Sequence, residues 1–73
     1  MTKLPQLKPT EVIKGLENLG FRRQRIRGSH LRLIHPDGRG ATVALHNQPV
    51  PKGTLKSILR QAQISTQQLL ANL

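Results

Sequence analysis

A chain of 73 residues that sets 12 lysines and arginines against three acids carries a net charge of +9 and contains no cysteine. Those numbers exclude disulfide stapling and thiolate metal sites, and no apolar run approaches the length of a membrane span. They leave one small domain over residues 1–73, able to bury only about 60 % of its unfolded surface and charged so as to attract polyanions.

Residues 1–7, within "MTKLPQLKPT", lack the apolar stretch of a secretory signal. They read as a flexible leader on a cytoplasmic protein. From Pro9 to Leu19 the apolar residues Val12, Ile13, Leu16 and Leu19 recur on one face of a helix. Pro9 suits the first helical position, where its missing N–H is no loss. Gly20 supplies the stop.

Phe21 to Arg27 is too short and uneven for a second helix and reads as a strand. Phe21 and Ile26 have opposite parity, so a bulge is expected between them. Gly28-Ser29 forms a turn. His30 to Ile34 is a second strand, with Leu31 and Leu33 on one face and His30 and Arg32 on the other. "HPDGRG" is a tight turn by composition. Ala41 to Leu45 makes a third strand with Ala41, Val43 and Leu45 on one side.

"HNQPVPKG" holds two prolines that cannot sit inside a sheet. Leu55, Ile58, Leu59 and Ala62 then mark a helix from Lys52 to Ala62. Ser65 and Gln68 have capping-box spacing, which suggests a short last helix over 65–73, with Leu69, Leu70 and Leu73 packing back. The fold class is therefore α+β, in the order α-β-β-β-α. Two helices cover one face of a three-stranded antiparallel sheet, with a short C-terminal helix added. The other sheet face stays open and carries His30, Arg32 and some of the first strand's arginines.

The residue inventory restricts the chemistry. Three acids spread over a helix and a turn cannot form the carboxylate clusters of two-metal phosphoryl transfer or glycoside hydrolysis. "GRG" lacks the lysine and following helix of a phosphate-binding loop. His30, His35 and His46 match no compact zinc-ligand spacing. No metal and no cofactor are expected. What remains is acid–base chemistry by histidine on RNA, which carries its own nucleophile. A base removes the 2′-hydroxyl proton, the oxygen attacks phosphorus and the 5′-oxygen leaves. Histidine exchanges protons near neutrality, and arginine or lysine stabilises the phosphorane. "FRRQRIRGSHLR" places five arginines around His30 with no acid among them, as a phosphate-binding face requires. His35 reads as a turn residue. His46 lies in a loop and stays open as a second proton-transfer group.

"GSH" entering a strand, then "HPDGR", then "KGTLKSILRQA", preceded by "EVIKGLENLGF", resembles the HicA toxin family of bacterial toxin–antitoxin systems. The resemblance runs from about residue 8 to residue 70. "GSH" alone is a weak signal, whereas the motifs in this order and spacing are strong together. It implies a fold similar to a double-stranded-RNA-binding domain and a ribosome-independent mRNA interferase whose single catalytic histidine maps onto His30. It also implies a HicB-type antitoxin partner that occludes the site, with operator DNA bound only indirectly through that antitoxin. Arg27 stands where lysine is common, Gln63 where a glycine commonly ends the second helix, and the first strand is unusually rich in arginine.

The expected site follows. His30 is the general base of a metal-independent endoribonuclease. Gly28 and Ser29 position it or the phosphate, and Arg25, Arg27, Arg32 and Lys52 bind RNA phosphates. The alternative is a non-catalytic RNA-binding module of the same fold. A third reading gives the basic face to an acidic protein partner.

Overall fold

The computed structural model describes residues 5–73. Its elements are α1 (Pro9–Asn18), β1 (Arg22–Arg27), β2 (His30–Ile34), β3 (Gly40–Ala44), α2 (Lys52–Ala62) and α3 (Thr66–Ala71). The three strands form one antiparallel sheet in the order β1-β2-β3. This is the α+β layout expected from the periodicities, including the short C-terminal helix. Strand limits differ by one residue: β1 begins at Arg22 rather than Phe21, and β3 runs Gly40–Ala44 rather than Ala41–Leu45. No helix among the described residues is long and apolar enough to cross a membrane.

Local chemistry accounts for the helix ends. Pro9 opens α1, and Glu11 Oε1 accepts the Lys8 N–H at 2.9 Å, which satisfies a donor that the helix leaves free. Ser65 and Gln68 complete a reciprocal capping box at α3. α2 ends at Gln63, which adopts the left-handed conformation with φ 56° and ψ 46°. The helix stop usually made by glycine is here made by a residue with a side chain.

The core lies between the helices and the inner sheet face. Val12, Ile13 and Leu16 of α1 meet Leu31, Leu33, Ala41 and Val43 of the sheet and Leu55, Ile58, Leu59 and Ala62 of α2. Each fully buried Leu contributes about 1.5–3 kcal/mol relative to exposure. Leu69 of α3 is also buried, against Gly15 of α1, where a Cβ would lie 2.6 Å from Leu69 Cδ1. Leu70 packs partly against the core, whereas Leu73 and Leu45 stay exposed. Leu45 departs from its expected alignment with Ala41 and Val43 because the strand ends one residue earlier.

The expected flexible leader over 1–7 lies mostly outside the described residues. Leu7 does not fit it: its side chain is buried and its carbonyl accepts the Val50 N–H at 2.7 Å. That bond ties the approach to α1 to the loop before α2.

The turn between β2 and β3 is fastened to the helices by a polar cluster. The Arg39 backbone N–H and Nε donate to the two carboxylate oxygens of Asp37 at 3.0 and 2.7 Å. Arg39 Nη1 reaches the Ala62 carbonyl at the end of α2 (3.1 Å). Its guanidinium carbon sits 5.4 Å from the centre of the Phe21 ring. His35 packs edge-on against Phe21, with centroids 5.1 Å apart. One arginine thus joins the turn, the core's only aromatic ring and the α2 C-terminus. The backbone N–H of Arg39 is the largest influence holding the Asp37 carboxyl below its usual range. Partial desolvation opposes it, and the Arg39 guanidinium and then the His35 charge add to it.

Two stability measurements test these local devices. Gln63→Gly removes the left-handed penalty and should stabilise the protein by about 0.5–1 kcal/mol after the entropic loss of glycine; an unchanged or lower urea midpoint contradicts this. Asp37 has a lowered native pKa, so its contribution is present above the unfolded value of about 3.9. It fades as pH falls through the native value. The stability gap between wild type and Asp37→Asn should be widest above about pH 5 and narrow below pH 4; a gap independent of pH in urea titrations contradicts it.

Candidate active site

The outer sheet face is set by one irregularity. Strict alternation along β1 would send Arg22, Gln24 and Ile26 to one face and Arg23, Arg25 and Arg27 to the other. The register instead shifts between Arg23 and Arg25, with Gln24 as the extra residue. Before it, Arg22 pairs with Ile34 and Arg23 with Leu33. After it, Arg25 pairs with Arg32, Ile26 with Leu31 and Arg27 with His30. Arg22, Arg25 and Arg27 therefore share the outer face with His30 and Arg32. Arg23 turns to the helix side, where its Nε lies 3.3 Å from Glu17 of α1. Ile26 also faces the helix side but remains 57 % exposed, since β1 is an edge strand only partly covered by α1.

His30 opens β2 directly after the hairpin turn. Gly28 has φ 59°, and Ser29 has a negative φ. This sign pattern belongs to the two-residue hairpin with glycine at its first central position. The Ser29 carbonyl accepts the Leu45 N–H at 2.6 Å, which holds the turn to the end of β3. His30 is exposed, and its ring makes no side-chain hydrogen bond among the described residues. It lies across from Arg27 on one side and Ala44 on the other.

Gln24, Arg25, Arg27, His30, Arg32 and Thr42 line a shallow depression of about 200 Å³. Arg32 is the best-held cation there. Its Nη1 donates to Thr42 Oγ1 at 3.3 Å, and its guanidinium lies over Gly40, where a Cβ would sit 2.6 Å from Nη2. Arg25 and Arg32 are direct cross-strand partners of like charge, an arrangement that destabilises a sheet and favours an anion between them. No acid offsets them. Among the described residues, Glu11 caps α1, Glu17 faces Arg23 and Asp37 is held by Arg39.

The structure thus brings together Arg25, Arg27, His30 and Arg32, with Gly28 and Ser29 forming the turn beside them. Lys52 is not with them: it is exposed on the first turn of α2 and lines no part of the depression. Gln24 and Thr42 do line it and were not singled out from the sequence. The parity conflict between Phe21 and Ile26 was the available signal for Gln24. Thr42 required the register of β3. His35 lies at the opposite end of β2 in the Phe21 cluster. His46 lines a second cleft of about 260 Å³ at the end of β3, together with Ala44, Val43, Val50 and Thr54.

A family model described as the HicA toxin of bacterial toxin–antitoxin systems matches residues 9–64. No curated protein gives a significant match to the chain.

The hairpin that delivers His30 depends on Gly28. The space around it is open, so only the backbone conformation resists a side chain. Gly28→Ala should cost about 1–2 kcal/mol in a chemical denaturation experiment, whereas Ser29→Ala should change stability by under about 0.5 kcal/mol. Equal effects of the two substitutions contradict this assignment of the turn.

Proposed function

The chain belongs to the HicA toxin family, and from that premise we propose that it is a metal-independent, ribosome-independent mRNA endoribonuclease in which His30 is the general base. A toxin–antitoxin role and an antitoxin partner come with the family. The observation that carries the finer reading is the exposed imidazole of His30 in a depression it shares with Arg25, Arg27 and Arg32.

In this mechanism the His30 ring accepts the proton of the 2′-hydroxyl as that oxygen bonds to phosphorus. The negative phosphorane sits among the guanidinium groups of Arg25, Arg27 and Arg32. Arginine holds its charge at any working pH and donates in a fixed planar fork, which suits phosphate oxygens. Arg32 is already oriented by Thr42, so part of its ordering precedes substrate binding. The P–O5′ bond breaks with its electron pair on the 5′-oxygen, which takes a proton from water, so the products are a 2′,3′-cyclic phosphate and a 5′-hydroxyl. The shallow site has no deep pocket for a base, which fits recognition through the RNA backbone more than through base edges. Lys52, outside the depression, would contact flanking phosphates. A HicB-type antitoxin would neutralise the toxin by covering this face, and any operator DNA would be bound through the antitoxin.

A non-catalytic RNA-binding module would use the same arginines, and His30 is the residue that separates the two readings. In EDTA, purified protein should cut RNA to 5′-hydroxyl ends. His30→Ala should lower the cleavage rate by about 10²–10⁴-fold while largely keeping affinity for a 2′-deoxy RNA analogue that cannot be cut. A strict requirement for a divalent metal, or full activity in His30→Ala, refutes the mechanism. An absence of any cleavage by the wild type favours the binding module.

A further inference from the structure

The outer sheet face does not end at Arg32. The next residue on that face of β2 is Ile34, about 13 Å from His30 at roughly 3.3 Å per residue. With Arg22, Gln24 and Pro36 it lines another shallow hollow, of about 360 Å³. Arg23 borders the same hollow, its charge met by Glu17. Gln24 lines both this hollow and the depression around His30. The two therefore form one groove across the sheet, with the bulged residue at its middle.

The hollow differs in chemistry from the depression it continues. Ile34 and Pro36 give it an apolar floor, and Ile34 is only half-buried. Small residues on β3 leave that floor open. Gly40, Thr42 and Ala44 form the outer row of β3, opposite Ile34, Arg32 and His30 in that order. A Cβ at Gly40 would stand 2.8 Å from Ile34 Cδ1 and 2.6 Å from Arg32 Nη2, so the isoleucine and the guanidinium both lie over one glycine. Arg22, the cross-strand partner of Ile34, brings a cation to the far side. An apolar ledge between two guanidinium groups complements a nucleotide, whose base has an apolar face and whose phosphates are anions. A second copy of this chain, at +9, would bring like charge to the same place.

We propose that this ledge is a base-stacking subsite: it takes a nucleobase flanking the cut, while the phosphates of the same strand run along Arg25, Arg27 and Arg32. This rests on the reading of the His30 face as an RNA-cleaving site. The chain has one Phe and no Tyr or Trp, and Phe21 is buried in the core. A base on the outer face therefore has no such ring to stack on, and the aliphatic surfaces of Ile34 and Pro36 with the planar guanidinium groups beside them take that role. Every base has a face of this kind, so the subsite accepts any of the four. The separation from His30 places the base beyond the nucleotide being cut. Backbone contacts still set the register of the strand.

An oligonucleotide with 2′-deoxy sugars at every position but one fixes the bond that is cut, and removing one base at a time along it tests the assignment. Wild-type protein should lose at least about fivefold in kcat/KM, the low end of what stacking a base contributes, when the missing base falls at one position beyond the cut nucleotide. The double variant Ile34→Ala/Pro36→Ala should cut the intact strand about fivefold more slowly and the strand lacking that base at the wild-type rate, with a urea midpoint that shows it folded. Should the pair unfold the chain, Pro36→Ala alone, at an exposed position, repeats the comparison. Equal wild-type rates across the abasic series overturn the proposal. So does equal slowing of the variant on both strands, which would make the ledge a structural feature. If wild type cuts none of these strands, the nuclease reading fails separately, and affinity for the all-2′-deoxy strand then reads the ledge. Removing its bases should weaken wild-type binding at least about fivefold and leave the variant's unchanged; equal wild-type affinities overturn the proposal.

Discussion

The arrangement of the outer sheet face depends on the extra residue at Gln24. Side chains alternate along a strand, so a single inserted residue reverses the facing of everything that follows it. Here that reversal sends Arg25 and Arg27 outward beside Arg32 and His30, and turns Ile26 toward the helices. Without it, the second half of β1 would present an isoleucine to the basic face and two arginines to the apolar side. The bulge thus reconciles two demands on one short strand. Arg23, upstream of it, meets a carboxylate on α1, and the arginines downstream meet none.

The two layers divide the work of the molecule. Stability comes from the inner side, where leucine, isoleucine and valine from five elements close a core with no buried polar side chain among the described residues. The turn after β2 is anchored to that core by Arg39, which satisfies Asp37, the Phe21 ring and the end of α2 together. The outer side contributes little cohesion and includes a repulsive Arg25–Arg32 pair. Like charges directly opposite each other weaken a sheet. A polyanion laid across the pair would relieve that repulsion.

The openness of that face bears on toxin control. The depression around His30 is shallow, and its walls are strand residues held by the sheet ladder. Membership of a toxin–antitoxin family brings an antitoxin partner. The exposed Ile26 and the free edge of β1 lie beside the same arginines.

Much of this molecule was readable from its residues one window at a time. The apolar period of α1 and α2, the capping box at Ser65, the alternation of Leu31 with Leu33 and the existence of a bulge are all local, because helix and strand periodicity and capping act over a few neighbours. The proposal of His30 as the base drew on local context, a glycine-serine turn and surrounding arginines, and on the resemblance to the HicA family. Tertiary structure decided what depends on register and long-range contact. It selected Gln24 as the bulged residue, turned Arg23 away from the site, brought Thr42 to Arg32 and left Lys52 apart. It placed His35 beside Phe21, and it buried Leu7 against a loop 43 positions later. A sequence specifies which faces are apolar; only strand pairing determines which residues stand opposite one another, because a one-residue slip reverses every side chain beyond it.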